Sequence, residues 1–177
     1  MLPRKISSNG THLLSLQVLF EHENGTCARP NPTSGDLQVA QMMTRKTGSL
    51  QHIEINVTNL ETSKVFYDGF LTWIGYNRVM DEKDIAGWSN GDIQIFLVNC
   101  EPHYRSAEFH RKHVGLNHVA FRASSREDVD RFFSEFLSTR RITVLYGGPK
   151  AYPEYSLTYY SVYFEDPDRI KLEFMHA

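Results

Sequence analysis

The chain has 177 residues, 41% apolar and 23% charged, which suffices for one soluble globular domain with a sizeable core. A formal net charge of −2 offers no basis for holding a nucleic-acid backbone. The longest early apolar run, residues 13–20, is broken by Ser15 and Gln17 and is too short to cross a membrane. Cys27 and Cys100 form neither a zinc-type nor a redox-type spacing, and a reducing cytoplasm is the simplest location.

Residues 1–47 differ from the remainder of the chain. Ser, Asn, Gly, Thr and Pro crowd the stretch from Asn24 to Gly35, and no hydrophobic period persists. Such a segment buries too little apolar surface to offset its ordering entropy, so it is expected to be a disordered N-terminal extension. The alternative is a short amphipathic arm. Arg4 and Lys5 precede the apolar run, but no small-residue cleavage site comes after it, which makes a poor signal peptide. Met42 and Met43 stand just before the better-patterned sequence.

From residue 48 the chain repeats itself. At an offset of 66 positions, Leu50-Gln51-His52-Ile53 meets Leu116-Asn117-His118-Val119, Phe66 meets Phe132 and Phe70 meets Phe136. The first copy opens on a strand with Ile53, Ile55 and Val57 on one face. Thr58-x-x-Glu61 then reads as a capping box, before a helix whose apolar stripe is Phe66, Phe70, Trp73 and Ile74. Further strands come next and end on residues 93–98. His110 and His113 lie in a charged connector with Arg111 and Lys112. The second copy repeats the strand (Val119, Phe121, Ala123), the capping box (Ser124-x-x-Glu127), the helix (Val129, Phe132, Phe133, Phe136, Leu137) and a last strand over residues 170–175. The last strands align at an offset of 77, so copy two holds about eleven extra residues. Gly147 to Tyr160, rich in Gly, Pro and Tyr, is expected to be the loop that holds them. Its tyrosines would form either a lid over a ligand or the turn of a long hairpin. The expected fold is α+β, two paired βαβββ modules over about 48–100 and 114–177 within a domain of residues 48–177.

Strand parity separates the two faces. With Ile53, Ile55 and Val57 under the helix, His52, Glu54 and Asn56 face the other way. His118, Ala120 and Arg122 do the same in copy two, and Lys171, Glu173 and Met175 look out from the last strand. If the two sheets curl toward each other, these surfaces line one cup. Tyr163, of opposite parity to Tyr160 and Val162, has a plain reading as a core residue.

The segments Leu50–Val57, Gly115–Phe121 and Phe164–Glu173, the last containing Asp166-Pro167-Asp168-Arg169, resemble the vicinal oxygen chelate superfamily. This group includes glyoxalase I, fosfomycin-resistance proteins, extradiol dioxygenases and bleomycin-binding proteins. The resemblance implies a curved mixed-sheet cup and one divalent metal ion, Mn, Fe, Ni or Zn, held by His52, His118 and Glu173. The fourth position, a glutamate in glyoxalase I, is Phe96 here, and a phenylalanine cannot ligate. Two imidazoles and one carboxylate leave positions open for a substrate's oxygens. Glu54, on the face of His52, is the candidate base for proton transfer. Gln94, Phe96, Arg122 and Tyr163 are assigned to substrate contact. The implied protein is a metalloenzyme that binds a small oxygen-bearing substrate by bidentate chelation, lyase-, isomerase- or thiol-transferase-like, and possible as a homodimer. The alternatives are a non-catalytic drug- or metabolite-binding protein and an extradiol-type dioxygenase. The latter lacks the expected histidine upstream of Tyr163, where Glu154, Tyr155 and Ser156 stand.

Overall fold

The computed structural model describes residues 47–107 and 109–177; the expectations for residues 1–46 lie outside them. Chain order gives β1 (His52–Val57), α1 (Leu60–Trp73), β2 (Asn77–Asp81), β3 (Ile85–Ser89), β4 (Gln94–Asn99), β5 (Val119–Arg122), α2 (Arg126–Phe132), β6 (Val144–Ala151), β7 (Tyr160–Glu165) and β8 (Lys171–His176). One four-stranded sheet has the order β1-β4-β3-β2 and the other β5-β8-β7-β6. In each, the first and last strands of the module pair in parallel and the remaining pairs are antiparallel. The expected α+β pair of βαβββ modules is therefore the observed fold.

The helix starts differ from expectation by one residue. Asn59 caps α1 by accepting from the Thr62 backbone N–H, and Ser125 caps α2 by accepting from that of Asp128. Thr58 is not free to cap, because its hydroxyl and backbone N–H both donate to Asp168. After α2 the chain continues as a single π-helical turn, Phe133–Leu137.

The stretch expected as a loop, Gly147 to Tyr160, is only partly one. β6 runs on through Ala151, and its register with β7 jumps between Leu145 and Lys150. Tyr146, Gly147 and Gly148 all have positive φ, at 57°, 86° and 102°. The glycine pair supplies the left-handed backbone of a bulge within a strand, which composition alone reads as a loop.

Both helices share one core. α1 packs on its own sheet through Tyr67, whose ring lies 6.2 Å from Trp88. Its opposite side enters the second module. Phe70 meets Phe121, Phe132, Phe136 and Phe164 at ring separations of 5.1, 5.5, 6.4 and 5.2 Å. Trp73 meets Phe132 at 5.0 Å and Phe174 at 5.9 Å. Phe121, Phe164 and Phe174 belong to the helix-covered face of the second sheet, so α1 lies between the helix-covered faces of both sheets. The uncovered faces consequently look away from this core.

A buried latch ties the modules. Asp166 accepts from the backbone N–H of Asp168 (2.9 Å) and Ile170 (2.7 Å) and from the Tyr67 hydroxyl of the other module (3.0 Å). Burial pushes its carboxyl up to about 7, against the lowering effect of these hydrogen bonds. Between the ordinary aspartate value of 3.8 and about 7, the folded chain holds a proton that the unfolded chain has lost. Stability must fall as pH rises through that window. Asp166→Asn is expected to remove this slope, which amounts to roughly 2–4 kcal/mol across the window. Urea unfolding at pH 5 and pH 8 checks it; an unchanged slope in the variant would contradict the assignment.

Candidate metal and substrate site

The sequence-derived site residues gather into two groups, one on each uncovered sheet face. On the first, β1 and β4 pair His52 with Gln94 and Glu54 with Phe96, so all four stand side by side. Phe96 lies over Gly87 of β3: a Cβ there would sit 2.6 Å from its ring. The bare glycine lets the ring lie flat on the sheet, and its centroid is 5.9 Å from that of His52, edge to face. Phe96 thus packs the imidazole rather than replacing a ligand.

On the second face, β5, β8 and β7 bring Ala120, Glu173 and Tyr163 into one row and Arg122, Met175 and Ser161 into the next. Tyr163 is buried at 6% exposure but lies outside the helix-covered cluster, beside Glu173. Parity against Tyr160 and Val162 places it on the uncovered face. That face is less open than expected. Lys171, Glu173 and Met175 are 8%, 0% and 9% exposed, because tyrosines of the bulged β6–β7 hairpin fold over them. Tyr159 donates to Glu173 Oε1 at 2.9 Å. Tyr152 packs against Tyr155, Tyr159 and Tyr163, and Tyr146 packs against Tyr163. Of the two readings of these tyrosines, the structure shows the hairpin, with its rings packed over Glu173 and Tyr163.

His118 and Glu173 meet directly. His118 Nε2 lies 3.0 Å from Glu173 Oε2. That oxygen is buried, with no partner aligned well enough for a full hydrogen bond. Ligands about 2.1 Å from one ion at about a right angle stand about 3.0 Å apart, which is this spacing. The donor set fits a borderline divalent ion. Burial, and then the charge of Lys171, lower the His118 imidazole below its usual value of 6.5, against the raising effect of Glu173. At neutral pH it is therefore the neutral, ligating form. Burial, then the hydrogen bond to Glu173, pushes the Tyr159 phenol up to about 12. Burial and Glu173 push Tyr163 higher as well.

Each histidine also has an orienting neighbour. The Gln51 side-chain oxygen meets His52 Nδ1, and the Asn117 side-chain oxygen meets His118 Nδ1 at 2.8 Å. An amide oxygen accepting from Nδ1–H leaves the Nε2 lone pair free. The residue preceding each histidine is visible in the repeat, but its role is not. Gln51 also donates to Gln94 at 3.0 Å, which fixes the amide in place.

Among the described residues of a single chain, no three His, Cys, Asp or Glu side chains form a group able to hold a metal ion. His52 belongs to the first sheet, and Glu173, with His118 just before β5, to the second. One cavity of about 550 Å³ is lined by Asn56, Cys100, Tyr104 and Asp168, and one of about 300 Å³ by Ile53, Tyr76, Val119 and Phe121. His110 and His113 are in the connector, with their rings 5.0 Å apart. No helix of the described residues is long and apolar enough to cross a membrane.

The chain has recognisable relatives. The sequence profile of the Glyoxalase/Bleomycin resistance protein/Dioxygenase superfamily matches residues 49–174. The uncharacterised protein YqjT of Bacillus subtilis is 35% identical over 124 residues, covering 70% of this chain and 95% of YqjT. A "putative glyoxalase" of Bacillus halodurans is 36% identical with a TM-score of 0.66, over 74% of this chain and 97% of its own. The lactoylglutathione lyase of Agrobacterium tumefaciens (18% identity, TM-score 0.55, 75% and 96% covered) shares the fold.

Proposed function

The chain belongs to the glyoxalase/bleomycin resistance protein/dioxygenase superfamily, and on that premise we propose that it is a metal-dependent enzyme whose site is completed by a second copy. His118 and Glu173 of one chain, with His52 from the partner's outer face, hold one divalent ion. The observation that carries this reading is the approach of the His118 Nε2 edge to the wholly buried Glu173 Oε2 at 3.0 Å. A carboxylate buried beside a neutral imidazole is costly, and a cation compensates it.

The bound ion would supply Lewis acidity to adjacent oxygens of a small substrate. The protein's own groups do the rest. Gln51 and Asn117 set the imidazole tautomers, and Phe96 and the tyrosines exclude water. Gln94 and Arg122 contact the substrate, and Glu54, beside His52, moves the proton. The substrate class is a compact molecule with vicinal oxygens, and the reaction is proton or group transfer of the lyase, isomerase or thiol-transferase kind.

Elemental analysis of the purified chain tests this. We expect about one equivalent of divalent metal per chain and loss of most of it in His118→Ala, since one protein ligand of three is removed. A wild-type chain that stays metal-free after incubation with Mn, Fe, Ni and Zn would instead support the non-catalytic binding protein.

A further inference from the structure

Lys171 is a buried cation without a counter-ion. It is 8% exposed, two residues before Glu173 on the same face of β8. Among the described residues it enters no ion pair. The carboxylate opposite it in the ladder is Glu165, and that group is taken by Arg111 and, at 3.9 Å, Arg169. Glu173 is engaged by Tyr159 and His118. What faces the ammonium is aromatic: Nζ lies 5.2 Å from the ring centre of Tyr163 and 5.9 Å from that of Tyr146. Two π faces hold a cation in place, but they do not neutralise it.

Its neighbours place this charge. Val119 pairs with Leu172, so the residues just before them, His118 and Lys171, are adjacent across the β5–β8 ladder. A buried cation that no carboxylate neutralises, standing beside His118, is the chemistry of a site for an oxyanion.

We propose that Lys171 is the anion-binding residue of the substrate site, and that the substrate carries a carboxylate next to its metal-chelating oxygen. The chelating part rests on the metal reading above; the charged part does not. Two neutral imidazoles and one carboxylate leave a divalent ion with one uncompensated positive charge, and Lys171 adds another. A neutral chelator would leave both unmatched. A 2-hydroxy- or 2-oxo-type carboxylate brings one negative charge that both centres share, with one carboxylate oxygen and the neighbouring oxygen toward the ion and the remaining oxygen toward Nζ. The tyrosine wall favours a planar ligand.

Salicylate and salicylamide separate charge from shape. Both offer a phenolic oxygen beside a carbonyl oxygen on the same ring, and only salicylate is anionic. Their dissociation constants are measured calorimetrically on the full chain, with manganese and without, for wild type, Lys171→Met and Lys171→Arg. The wild type is expected to prefer salicylate, Lys171→Met to lower that preference by about tenfold or more, and Lys171→Arg to keep it. Lys171→Gln replaces the methionine variant if the latter does not fold. A preference left unchanged by losing the charge, or a wild type that binds neither probe, overturns the proposal. Metal content of the same samples is read separately. A chain that takes up no manganese yet loses its salicylate preference in Lys171→Met defeats the metal reading and leaves the anion subsite standing.

Discussion

Phe70→Ala is expected to lower the unfolding free energy by about 3–5 kcal/mol, a large part of what a domain of this size possesses. The ring is fully buried. Its aromatic neighbours are Phe66 in its own module and Phe121, Phe132, Phe136 and Phe164 in the other. Truncation therefore opens a cavity at the junction of two modules, where neither sheet can collapse alone to fill it. Urea denaturation gives the number. Val65→Ala, one turn away but 78% exposed, serves as control and should shift stability by no more than about 0.5 kcal/mol. Because the core is shared, wild type and variant should each unfold in one transition. Two separable transitions, or a Phe70→Ala midpoint equal to wild type, would mean that the modules do not depend on each other.

That shared core explains what the sequence could and could not reveal. The repeat from His52 to His118 exposes the modules, because the same strand-helix-strand pattern must recur wherever the same sheet is built twice. Parity places His52, Glu54, His118 and Glu173 on uncovered faces, since side chains alternate along a strand without exception for their chemistry. Periodicity is silent about how modules are arranged. The stripes of Phe66, Phe70 and Trp73 require burial against something, and the pattern is the same whether the second layer is their own sheet or the neighbouring module. The expected curved mixed-sheet fold is the one observed, and what periodicity leaves out is that α1 shares its core with the second module.

The polar network around Glu173 is legible only in part. A motif points to Tyr163, whereas a core reading of its parity points away from the site. Lys171 reads as outward-facing, which is correct for direction and wrong for exposure. The tyrosines that bury it come from an inserted hairpin, and its Gly147-Gly148 bulge reads in one dimension as a loop. Gln51 and Asn117 act through a contact between adjacent side chains, which spacing rules do not capture. Matched amides before matched histidines are the available signal.

Mixing two inactive variants should restore metal sites. His52→Ala and Glu173→Ala each break every site in a symmetric dimer, and each is expected to bind little metal alone. In a mixed dimer, one site combines the intact His52 of the Glu173→Ala chain with the intact His118 and Glu173 of the other, while the second site collects both lesions. Random reassociation yields about half mixed dimers with one good site in two, so about a quarter of wild-type metal content and activity should return. If each chain completed its own site, no mixture could recover anything, because every chain would carry its own defect. Light scattering on the same samples establishes that dimers form and exchange. Exchange without recovery would mean that no site draws its ligands from two chains, whereas recovery near a quarter requires that ligands from two chains meet at one ion.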